Sequence, residues 1–140
     1  MKTIVDTGPL VAYFCAADQY HAWSVVVLDT RERPLLTCEA VLAETIHRLN
    51  YFRQRTDLVF ELLRQGALAI TVELEAQLEP VARIMAKYAD RQIDLADACL
   101  IRLSELFPAA EVLTVDAADF RVYRRQDRTV VPYLAPPPTR

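Results

Sequence analysis

Glycine is almost missing, with Gly8 and Gly66 the only two in 140 residues. Neither G-x-G-x-x-G nor the P-loop can be written with them, and both need glycine where backbone closes on phosphate, so nucleotide cradles of those kinds are excluded. Serine (Ser24, Ser104) and histidine (His21, His47) are equally scarce, and no G-x-S-x-G turn exists to present a serine nucleophile. Lysine occurs only at Lys2 and Lys87. Cys15, Cys38 and Cys99 are far apart and odd in number, which argues against a disulfide framework and, with no Cys-x-x-Cys, against an ordinary zinc site. They read as small buried hydrophobes kept reduced in a cytoplasm. The longest apolar run, Leu10 to Ala17, is eight residues, far short of the roughly 18 needed to span a bilayer. Asp6 interrupts the N-terminal segment where a secretory signal needs an apolar stretch, so neither export nor a membrane span is expected.

What the chain does have is a core-forming composition, 53% hydrophobic with 25% charged, which suits one compact domain. That domain is expected over residues 1–134, with 135–140 a Pro-rich tail. Short apolar runs alternate with helical periodicity, the pattern of an α/β domain with a mostly parallel sheet. Strands are expected at Thr3–Val5, Leu35–Thr37, Leu68–Val72 and Glu111–Val115, with an edge strand at Thr129–Val131. Helices are expected from Thr7, over His21–Arg31, over Cys38–Asn50 with a stripe of Leu42, Ile46 and Leu49, and over Asp57–Gln65 with Leu58, Leu62 and Leu63 inward. Gly66 is placed to cap the last of these. Leu74, Leu78, Val81, Met85 and Tyr88 mark an amphipathic helix that Pro80 must kink or restart, and Asp94–Leu106 reads as an interior helix.

Carboxylates are the available chemistry, 19 of them. Asp6 and Asp116 each follow a short strand and precede a helix, the position from which groups face the crevice outside the carboxyl ends of a parallel sheet. Each also reads as a plain helix cap. Asp97 shares a helix face with Ile93, Leu100 and Ile101, so a carboxylate is carried into apolar surroundings and needs compensation, by a bound cation or by a capping box with Asp94. Glu44 lies off its helix's apolar stripe, with Arg48 four residues on, and reads as an exposed ion pair. Asp119 reads equally as a pocket ligand or a turn cap.

Taken in order, Ile4-Val5-Asp6-Thr7, Glu39-Ala40-Val41-Leu42-Ala43-Glu44, Asp94-Leu95-Ala96-Asp97-Ala98 and Leu113-Thr114-Val115-Asp116-Ala117-Ala118-Asp119-Phe120 give the chain its family likeness. It resembles the PIN-domain nucleases, most closely the VapC-type toxins of toxin–antitoxin pairs, over residues 3 to about 131. The resemblance implies a three-layer α/β/α sandwich around a mostly parallel sheet of about four or five strands. It implies Asp6, Glu44, Asp97 and Asp116 as an acidic quartet and Asp119 as an auxiliary ligand; the paired Asp94-x-x-Asp97 offers two candidates, and the facing of Asp97 puts it in the ligand slot. The resemblance lifts Glu44 from surface residue to site residue. Gly8 stands where many relatives carry serine or asparagine.

A cluster of carboxylates repels itself unless cations hold it ionised, and all-oxygen sites suit Mg²⁺ or Mn²⁺. Two such ions about 3.5 to 4 Å apart activate water and stabilise the leaving oxygen of a phosphodiester without any nucleophilic side chain. The expected activity is therefore metal-dependent RNA hydrolysis. The net charge is −3, but setting the four quartet acids aside leaves 15 acids against 16 bases, 14 of them arginine. Arg121, Arg124, Arg125 and Arg128 cluster after the Asp116 motif and are candidates to grip an RNA backbone. The resemblance further implies a separate antitoxin and a homodimer, for which Trp23, Tyr51 and Phe52 offer interface aromatics. A phospho-receiver module also gathers acids at strand ends, but it needs a lysine after a late strand that is lacking here. A PIN fold retained only for binding is the other alternative, which the complete quartet does not suggest.

Overall fold

The structure, a computed structural model, describes residues 1–138. Five short strands, β1 (Thr3–Val5), β2 (Leu35–Thr37), β3 (Leu68–Ile70), β4 (Glu111–Leu113) and β5 (Tyr133–Leu134), form one sheet in the order β3-β2-β1-β4-β5. All pairings are parallel, with Ile4 opposite Leu36 on one side and Val112 on the other. The inner strands are buried over both faces, which is why Thr3–Val5 and Leu35–Thr37 read as short apolar runs without alternation.

Helices α1 (Thr7–Phe14), α2 (His21–Thr30), α3 (Glu39–Tyr51), α4 (Asp57–Arg64), α5 (Leu78–Lys87), α6 (Leu95–Leu106) and α7 (Ala117–Val122) flank the sheet in the expected three-layer α/β/α sandwich. Helix α1 packs on α2 and α3, and α6 packs on α3, α5, β1 and β4. Among the described residues, no helix is long and apolar enough to cross a membrane.

Several helix ends follow directly from sequence. Gly66 has φ +70° and closes α4, with its N–H donating to Leu63 O at 3.1 Å and the Ala67 N–H donating to Leu62 O at 2.9 Å, the paired bonds of a Schellman cap. Pro80 sits in the first turn of α5, where its missing N–H costs nothing, and a 3₁₀ turn over Glu75–Gln77 precedes it, so the chain restarts rather than kinks.

Other expectations shift. In α4 only Val59 is fully buried, and Leu58, Leu62 and Leu63 are half-buried, because the helix covers the edge of the sheet rather than its centre. In α3, Val41, Leu42, Thr45 and Leu49 face inward while Ile46 is half-buried. Leu74 and Leu78 are exposed, and the buried stripe of α5 runs through Val81, Ile84 and on to Tyr88. The edge strand lies at Tyr133–Leu134, beyond the expected Thr129–Val131. Val130 makes only an antiparallel bridge to Arg124, and the pairing with β4 begins at the Pro132 carbonyl, which accepts the Val112 N–H at 2.9 Å. The last two residues of the Pro-rich tail lie outside the described residues.

Candidate active site

From β1 the chain crosses first to β2 on one side and later to β4 on the other, so the strand order reverses between β1 and β4. The crevice at the carboxyl ends of these two strands is the topological switch point of the sheet. Asp6 ends β1 there, 4% exposed. One carboxylate oxygen accepts the Thr7 N–H at 2.7 Å, as a helix cap does, and the other accepts the Thr114 hydroxyl at 2.8 Å. The Thr114 oxygen in turn accepts the Asp116 N–H at 3.0 Å. One buried hydroxyl therefore ties the acid after β1 to the backbone of the acid after β4.

Asp97 enters from the first turn of α6. Asp94 caps this helix by accepting the Asp97 N–H at 2.8 Å. The reciprocal half of a capping box does not form, because Asp97 Oδ2 instead accepts the Tyr123 hydroxyl at 2.6 Å. Tyr123 is held edge-on against Tyr88 and Phe120, with ring centroids 5.1 and 5.2 Å away. Glu44 is exposed on α3 and reaches the site through the Thr7 hydroxyl, which donates to it at 3.3 Å. The i,i+4 ion pair with Arg48 is not formed among the described residues.

Electrostatics draw the acids into one group. Burial pushes the Asp6 carboxyl up to about 6 against the pull of its two hydrogen bonds, and Asp116 and Glu44 add to the rise. Burial raises Asp97 to about 7, with Asp6, Asp94 and Asp119 contributing and the Tyr123 hydrogen bond opposing. Asp116 is also raised, by partial burial of its carboxyl and by Asp119, while Arg48 pulls the other way. Burial and the anionic neighbour Asp97 push the Tyr123 phenol up in turn, so it remains a donor. Asp119 is half-exposed and paired to Arg91 at 3.3 Å.

The structure thus brings Asp6, Glu44, Asp97, Asp116 and Asp119 into one electrostatic neighbourhood. The arginines divide differently. Arg121 is exposed, whereas Arg124 donates to the Arg121 and Tyr123 carbonyls and Arg125 to Ser104 Oγ and the Pro108 carbonyl. Among the described residues, the cations that act on these acids are Arg48, on Asp116, and Arg91, on Asp119. Thr7, Thr114 and Tyr123 complete the site, and their only sequence signal is a hydroxyl next to, or within a helix of, a motif acid.

The donor set is all oxygen, and Asp6, Glu44, Asp97 and Asp116 form no ion pair among the described residues, so a hard divalent cation fits its chemistry. Among the described residues, no three His, Cys, Asp or Glu side chains are already arranged around one point. Asp6 and Asp97 each accept from a hydroxyl instead, and each carboxylate keeps further lone pairs free for an ion.

Gly8 is buried at the start of α1, where an added Cβ would overlap Val115 Cγ2 and stand 3.2 Å from its Cγ1. The glycine is needed for this close approach rather than for its φ. Gly8→Ala is expected to cost about 1–3 kcal/mol, because the stiff, β-branched Val115 side chain must give way, and urea unfolding measures the loss.

A parallel sheet of this order with acids converging between β1 and β4 defines a class. The PIN domain family model matches residues 3–126, and the chain belongs to that family. It is 33% identical over 124 residues to Ribonuclease VapC26 of Mycobacterium tuberculosis (strain ATCC 25618 / H37Rv), covering 86% of this chain and 91% of that protein, which makes it a VapC-type member. Its fold is similar to the crystal structure of Mycobacterium tuberculosis VapC20, described as a Sarcin-Ricin loop cleaving toxin, with a TM-score of 0.64. That similarity comes at 19% identity over 79% of this chain and 87% of the other.

Proposed function

We propose that the protein is a metal-dependent endoribonuclease, the toxin of a toxin–antitoxin pair, folded as a single domain over residues 1–134. The observation that carries this reading is a buried Asp6 and a half-buried Asp97 at the switch point, compensated by hydroxyls and, among the described residues, by no basic side chain. Asp6, Asp97 and Asp116 would hold Mg²⁺ or Mn²⁺, with Asp119 joining from the rim and Glu44 orienting water through the outer edge. Bound there, the ions would acidify a water molecule and spread the charge of the scissile phosphate, two ions acting together in the reading we favour.

The chain's own groups supply the rest. Thr114 fixes the rotamer of Asp6 and the Asp116 backbone together, and Tyr123 orients Asp97. Glu44, exposed on α3, would accept a proton from the attacking water. Arg121, exposed, would contact the RNA backbone, with Arg124 and Arg125, held to carbonyls and to Ser104, lending positive charge to the surface beside it. Partners of this reading are an antitoxin and a second copy of the chain, for which Tyr51 (78% exposed) and Phe52 offer apolar surface. A cytoplasmic setting accords with three buried, unpaired cysteines.

Purified protein is expected to cut RNA with Mg²⁺ or Mn²⁺ and to lose at least about a hundredfold in rate with EDTA, recovering on excess ion. Measured 5′ ends give the cleavage site. Cleavage indifferent to EDTA and to Asp6→Asn would remove the proposal.

A further inference from the structure

Beside the acids lies a cavity of about 460 Å³, at the carboxyl ends of β2 and β3, within the size range of small-ligand pockets. Two of its lining residues adjoin site acids along the chain. Ala43, which lines it, precedes Glu44 on α3, and Leu95, which also lines it, follows the cap Asp94 on α6. Its walls are largely aliphatic, with Val72 buried and Leu74 and Leu95 exposed at 41% and 40%. Its charged lining is Glu39, Glu73 and Glu75, all exposed, and among the described residues no lysine or arginine lines it.

We infer that this cavity is a nucleobase subsite that receives an unpaired guanine next to the scissile phosphate. The inference rests on the ribonuclease reading and names what that reading leaves open, the base preference. Three carboxylates repel phosphate, so the strand's backbone stays on the metal side of Ala43 and Leu95, and only an uncharged base enters. Sequence-specific RNA recognition targets such unstacked bases, held between apolar side chains and read along their Watson–Crick edges. Carboxylates only accept hydrogen bonds. Guanine alone among the four bases offers two adjacent donors on that edge, N1–H and the 2-amino group, which match the two oxygens of one glutamate. Adenine and cytosine offer an amino group beside an acceptor that a carboxylate repels, and uracil offers one N–H between two carbonyls.

The test uses full-length protein and single-stranded RNAs that carry one guanosine, inosine, adenosine or cytidine at a single position in a uridine background. With Mg²⁺, cleavage beside guanosine is expected to exceed cleavage beside adenosine by at least about tenfold in kcat/KM, with inosine in between. In the Glu39→Gln, Glu73→Gln, Glu75→Gln triple variant this ratio is expected to fall to within about twofold. Fluorescence anisotropy of the same labelled RNAs in EDTA gives a readout that needs no turnover, with the same ranking expected. If no RNA is cut yet guanosine is still preferred in binding, the ribonuclease reading fails and the subsite stands. Equal binding and equal cleavage of all bases overturns the subsite alone. So does an unchanged guanosine preference in the triple variant. A Leu74→Asp variant that shifts the sedimentation coefficient while base preference is absent assigns the face to protein–protein contact instead.

Discussion

Asparagine in place of Asp6 or of Asp97 is expected to lower RNA cleavage by about 10²- to 10⁴-fold with the fold retained. The amide is nearly isosteric with the carboxyl and keeps one acceptor oxygen. At position 6 it can still take the Thr7 N–H or the Thr114 hydroxyl, and at position 97 the Tyr123 hydroxyl. What it loses is the negative charge that a divalent ion requires. Asp119→Asn is expected to cost about tenfold or less, because that carboxylate is half-exposed and already balanced by Arg91. Initial rates on one defined RNA at saturating Mg²⁺, with circular dichroism as the check on folding, separate the two classes. A folded Asp97→Asn protein that cleaves within threefold of the native rate would take Asp97 out of the ligand set.

That ranking could not be drawn from the sequence, although the positions could. Thr3–Val5 and Leu35–Thr37 were legible because strands buried on both faces show as short apolar runs that end at a polar residue. Gly66 was legible as a cap because a positive φ at a helix end leaves glycine little competition. Leu74 and Leu78 misled, since periodicity reports that residues share a face but not whether anything covers it. Tyr133–Leu134 was missed because a two-residue strand behind Pro132 carries no pattern at all. Asp97 stood out as a carboxylate among Ile93, Leu100 and Ile101, and its burial follows from that. Its partner Tyr123 is 26 residues away and meets it only through the packing of α7 on the sheet. Glu44 is the opposite case. Its exposure follows from the helix stripe, while its contact with Thr7 across 37 residues depends on α3 packing on α1.

Asp97→Asn should also make the metal-free protein more stable at pH 8, by about 2 kcal/mol, even as it removes activity. A carboxyl near 3.8 in the unfolded chain rises to about 7 in the folded one, and Asp6 rises to about 6. Between about pH 4 and pH 7 the folded state therefore binds more protons than the unfolded state, so native stability falls as pH rises through that window and is lowest above it. A neutral amide at position 97 stands permanently in the protonated form and escapes its share of that loss. Urea midpoints in EDTA should therefore agree for native and variant near pH 4 and separate towards pH 8, with native the weaker. Magnesium should narrow the gap, because an ion that binds only the folded native site adds stability there and adds less to a protein with one ligand removed. Superimposable native and variant curves at pH 8 would mean that Asp97 is solvated well enough to ionise freely, and the argument for a cation from its burial would then go. A gap that closes on adding Mg²⁺ ties the two properties to one cause: the carboxylate that weakens the empty fold is the one held in place to bind the ion.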